Sequence, residues 1–163
     1  MTPEDLKALF GRLTRGPVPT QKKKVFAYSG RLATLLEMIP GTVLVQGSVF
    51  DAVEGASPSL SEEALARFMA KALADHATKL RAHRTMSVVV LTDAAVLARY
   101  QVPLTALFEC VSDGHAVVLH VAEDLSTPSW TVPSYIRFEP TEVWRYFETA
   151  LPDQAMLLRR TEV

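Results

Sequence analysis

The sequence predicts an α/β fold with three layers, in which a mainly parallel sheet is flanked by helices. Short runs of apolar and β-branched residues alternate along the chain with segments whose apolar residues recur at helical spacing. Strands that are separated by helices pair in parallel, and uninterrupted apolar strands are typical of a sheet covered on both faces. The length of 163 residues and the hydrophobic fraction of 48% fit one globular domain.

The predicted strands are short apolar runs bounded by turn-forming residues. They comprise residues 25–28, 42–46, 86–91, 116–121 and 135–138. The strongest prediction is 86–91, where Val88, Val89, Val90 and Leu91 follow one another. Because helices lie between consecutive strands, we expect the first four to be mostly parallel.

The predicted helices carry apolar residues three or four positions apart, which gives each helix a buried face. They comprise residues 4–14, 31–39 and 103–111, a long helix from Ser59 or Ser61 to about Arg84, a short helix through Val96 and Leu97, and a closing helix that begins at Pro140. The chain then divides into an N-terminal helix with a basic linker (1–23), the α/β domain (24–152) and a C-terminal tail (153–163).

The overall charge favours neither nucleic acid nor membrane as a partner, because 17 Lys and Arg residues face 18 Asp and Glu residues. Basic residues are nevertheless concentrated near the start, where Lys22, Lys23 and Lys24 follow a proline-containing linker. We expect at most a weak phosphate-backbone contact there, since a short lysine run reads no sequence.

The single cysteine, Cys110, excludes an internal disulfide framework and fits the reducing cytoplasm, where we expect the protein to be located. No apolar run approaches the ~18 residues of a membrane-spanning helix. Cys110, His115 and His120 follow one another at short intervals, but they are predicted to lie on a helix, a turn and a strand. We therefore expect no metal site.

The ends of the predicted strands carry the candidate nucleotide site, because ligands of such sheets bind beyond the carboxyl ends of the strands. Strand 86–91 leads into Thr92 and Asp93, and an apolar strand ending in aspartate is typical of the carboxylate that holds magnesium in nucleotide hydrolases. The alternative interpretation is that Asp93 caps the helix that follows it.

The remainder of a nucleotide-hydrolysing site is missing from the sequence. Only Ser29 and Gly30 separate the first strand from the helix beginning at Arg31, so no glycine-rich phosphate loop with its lysine is present. Ala94 stands where a catalytic glutamate would follow Asp93. The main prediction is therefore that no cofactor is bound. The alternative prediction is a cofactor site for ATP and magnesium made of Ser29, Gly30 and Asp93.

The order of segments resembles the small P-loop-type component of bacteriophage-exclusion (BREX) defence systems. In that family a Walker-B-like strand leads to a leucine-rich helix, a short turn and a sensor-type strand. The corresponding segments here are residues 87–93, 96–97, 102–107 and 112–119, together with a closing segment at 135–146. The resemblance implies a RecA- or P-loop-NTPase-like fold with a degenerate nucleotide site and a role in antiviral defence, with a larger subunit of the defence complex as partner.

The sequence thus favours a non-enzymatic adaptor over an enzyme. Trp130 and Tyr135, in a proline-flanked region, are the predicted partner contacts, since loop aromatics anchor interfaces. The alternative is a nucleotide-binding ATPase or sensor that uses an unrecognised loop, with Asp93 as its metal-holding carboxylate. The sequence leaves the oligomeric state open.

Overall fold

The computed structural model of this protein describes residues 7–8, 25–49, 51, 62–80, 82, 87–111, 115–121, 140–151 and 157–158. Within these residues strands and helices follow one another as predicted up to residue 151. The elements are β1 (Val25–Tyr28), α1 (Leu32–Met38), β2 (Leu44–Ser48), α2 (Glu62–Leu80), β3 (Ser87–Thr92), α3 (Ala95–Arg99), α4 (Thr105–Cys110), β4 (His115–His120), α5 (Pro140–Ala150) and β5 (Leu157–Leu158).

The sheet has five strands in the order β2-β3-β4-β1-β5. Every neighbouring pair is parallel. At the centre, Val89 of β3 lies between Val45 of β2 and Val117 of β4. This confirms the predicted α/β class and its parallel sheet with flanking helices.

The core lies on both faces of the sheet. All six residues of β4 and five of the six residues of β3 are buried. Since successive strand residues point to opposite faces, such strands need a cover on each side. Helix α2 packs against α4 and β2, and α3 packs against α5. Phe147 on α5 is completely buried.

Some boundaries differ from the prediction for reasons visible in the backbone. β2 begins at Leu44 instead of Thr42, because the N–H groups of Val43 and Leu44 both donate to the carbonyl of Pro40 and prolong the turn. Helix α2 ends at Leu80, before the predicted Arg84. Pro140 is the first residue of α5, as predicted.

A short fifth strand lies in a segment that the sequence analysis assigned to the tail. Leu157 and Leu158 pair with Ala27 and Tyr28 of β1. The predicted strand 135–138 lies outside the described residues, as does most of the predicted helix 4–14, of which the structure describes Lys7 and Ala8 as helical.

Candidate functional site

Four residues meet where the parallel strands end, three through polar side chains and Gly30 through its backbone carbonyl. We call them the carboxyl-edge cluster. They are Ser48 at the end of β2, Asp93 directly after β3, His120 at the end of β4 and Gly30 shortly after β1. The strand order places them side by side in this sequence along one edge of the sheet. In parallel α/β sheets this edge is where ligands bind.

The carboxylate of Asp93 is engaged with two hydroxyl groups. Ser48 Oγ donates to Asp93 Oδ2 over 2.9 Å, and Thr92 Oγ1 approaches the same oxygen at 3.3 Å. Thr92 Oγ1 is also 3.3 Å from the carbonyl oxygen of Gly47, so its proton is shared between two acceptors. Asp93 therefore joins the ends of β2 and β3.

Asp93 adopts a left-handed backbone conformation, with φ of 62°. This region is uncommon for residues other than glycine, although aspartate tolerates it better than most. The N-cap of α3 is Ala94, and no side chain caps the helix. The interpretation of Asp93 as a helix cap is thus wrong, because its backbone is left-handed and its carboxylate accepts a hydrogen bond from Ser48.

His120 connects β4 to the turn after β1. Its Nε2 lies 2.9 Å from the carbonyl oxygen of Gly30, so this nitrogen carries a proton and donates it. Burial lowers the pKa of His120 below 6.5, while the hydrogen bond to Gly30 and the negative charge of Asp93 oppose that shift. At neutral pH the imidazole is therefore a neutral donor.

The backbone reinforces this connection on both sides of His120. The N–H of Ala94 donates to the carbonyl of His120 over 3.2 Å, and the N–H of Val121 donates to that of Tyr28 over 2.9 Å. The rings of Tyr28 and His120 are 6.1 Å apart, centroid to centroid. β4 thus links the turn after β1 to the turn after β3.

The connection between β1 and α1 is covered by Tyr28. A β-carbon added to Gly30 would collide with the ring and hydroxyl of this tyrosine. Glycine is thus required here because the aromatic side chain lies against the backbone. The turn from Ser29 to Arg31 is enclosed from one side by Tyr28 and held from another by His120.

The predicted cofactor residues come together only in part. Gly30 and Asp93 lie on the same edge, but β4 separates the strands that carry them, and His120 lies between. Ser29 shares the short turn with Gly30. The predicted contacts Lys22, Lys23, Lys24, Trp130 and Tyr135 lie outside the described residues.

His115 and His120 lie at opposite ends of β4, about 16 Å apart at ~3.3 Å per residue. His115 Nδ1 is instead 2.6 Å from Ser87 Oγ, in a buried hydrogen bond at the amino edge of the sheet. Within the described ranges, no group of three or more His, Cys, Asp or Glu side chains is placed to hold a metal ion.

The sequence analysis gave Ser48 no role, although its strand end was one of those considered, and it weighed His120 only as a metal ligand. A signal existed, since Ser48 lies two residues beyond the predicted strand 42–46 and His120 is the last residue but one of the predicted strand 116–121. Parallel strands end on the same edge of a sheet. The register places Ser48 beside Thr92 and His120 beside Tyr28. The end of every strand was therefore a candidate position.

Comparison with known proteins adds no relative: no family model, curated protein or solved structure matches the chain. In the part of the chain that the structure describes, no helix combines the length and apolar character that crossing a bilayer needs. The fold and the carboxyl-edge cluster are therefore the basis for proposing a function.

Proposed function

We propose that this protein is a non-catalytic adaptor, built on a P-loop-NTPase-like fold whose nucleotide site has degenerated. A phosphate loop binds its ligand through successive backbone N–H groups that face an open cradle. The corresponding turn here is short and is enclosed by the protein's own side chains. Its role is then structural, and the protein acts by binding another protein.

One observation carries this proposal, namely the contacts of Gly30. Its carbonyl accepts the hydrogen bond from His120, and the ring of Tyr28 occupies the space above its Cα atom. Both contacts stabilise a closed turn between β1 and α1. The succession of the Asp93-terminated β3 and then β4 along the chain supports the P-loop-like origin, since a sensor-type strand follows the Walker-B-like strand in the family that the sequence resembles.

The partner that we propose is a larger subunit of a bacterial antiviral defence complex in the cytoplasm. The resemblance of the sequence to the small BREX component supports this assignment. Trp130 and Tyr135 are the proposed contacts with that subunit, and Lys22, Lys23 and Lys24 provide at most a weak contact with nucleic acid.

Isothermal titration with ATP and magnesium tests the absence of nucleotide binding. We expect no saturable heat from the wild-type protein. The Asp93→Asn variant removes the charge and keeps an oxygen that can accept from Ser48. The matched control is Glu109→Gln, which changes an exposed residue of α4. Saturable binding that disappears in Asp93→Asn and persists in Glu109→Gln would contradict the adaptor proposal.

Co-purification of the untagged complex from the source organism tests the partner. We expect a larger subunit to accompany the wild-type protein and the Arg145→Ala control, which changes an exposed residue of α5. The Trp130→Ala/Tyr135→Ala double variant should lose that subunit. Retention of the subunit by the double variant would exclude the proposed contact region.

The second candidate function is a nucleotide-binding ATPase or sensor that uses Ser29, Gly30 and Asp93. The left-handed backbone of Asp93 favours it, because residues held in uncommon conformations are frequent at functional sites. This candidate requires ATP and magnesium as cofactors, so the titration described above distinguishes it from the adaptor.

A further inference from the structure

We draw no further inference here: the strongest candidate, the groove of about 410 Å³ beside α2 that is lined by Phe68, Lys71, Asp75 and Lys79, carries none because nothing among the described residues shows what covers it.

Discussion

The hydrogen bond between His120 and Gly30 makes a quantitative prediction about stability. The His120→Leu variant fills a similar volume but provides no donor, which leaves the buried carbonyl of Gly30 without its partner. An unpaired buried acceptor costs about 1–3 kcal/mol. We expect the free energy of unfolding to fall by that amount, and His120→Gln, whose amide can donate, to retain part of it.

The pH dependence of the same variant follows from the lowered pKa of His120. Burial depresses this pKa below 6.5 in the folded protein, so the unfolded chain binds more protons than the folded one as the pH falls below 6.5. The stability contributed by neutral His120 is therefore complete above pH 6.5 and decreases as the pH falls from there toward the pKa of the folded state. The difference in unfolding free energy between wild type and His120→Leu should narrow over the same interval.

Urea denaturation followed by circular dichroism, above and below pH 6.5, measures both effects. The other three of the four histidines are present in every variant, so they cancel when wild type and variant are compared. Equal stabilities above pH 6.5, or a difference that grows on acidification, would refute the role given to His120.

Three further predictions concern the framework of the site. Gly47→Ala should destabilise the protein by about 1 kcal/mol, because the new β-carbon would lie 2.8 Å from the tip of the Leu80 side chain and 3.3 Å from His76 Nε2. Gly41→Ala meets nothing within 4 Å and should be nearly neutral in thermal denaturation. Tyr146→Phe loses a buried 2.6 Å hydrogen bond to a carbonyl before α4, and urea titration should show a loss of about 1 kcal/mol. Leu91→Asp places an unpaired charge at a completely buried position of β3 and should prevent cooperative melting; a soluble variant that melts cooperatively would contradict the assigned core.

Much of the fold could be predicted because its signals are local. β3 is a short run of β-branched valines followed by leucine, which favours a strand. The helices between strands imply parallel pairing. The start of β2 could not be predicted, since the carbonyl of Pro40 captures two N–H groups and overrides the β preference of Thr42. A strand as short as Leu157–Leu158 has no periodicity to recognise.

The candidate site could be predicted only as a set of strand ends. Asp93 was identified because the sequence shows it directly after β3, but its bond to Ser48 joins residues 45 positions apart. The bond between His120 and Gly30 spans 90 positions. Both depend on the strand order, and an alternation of strands and helices is compatible with several orders, so the sequence pattern does not select one.

The strand order also explains why His120 lies where it does. Because β4 lies between β1 and β3, a side chain at the end of β4 is adjacent to both turns that carry the predicted cofactor residues. His120 contacts the turn after β1 through Nε2 and the turn after β3 through its carbonyl, which accepts from Ala94. In a nucleotide-binding sheet, a ligand at this edge would join the strands from outside. Here hydrogen bonds from within the chain join them, so the chain's own residues order this edge of the sheet.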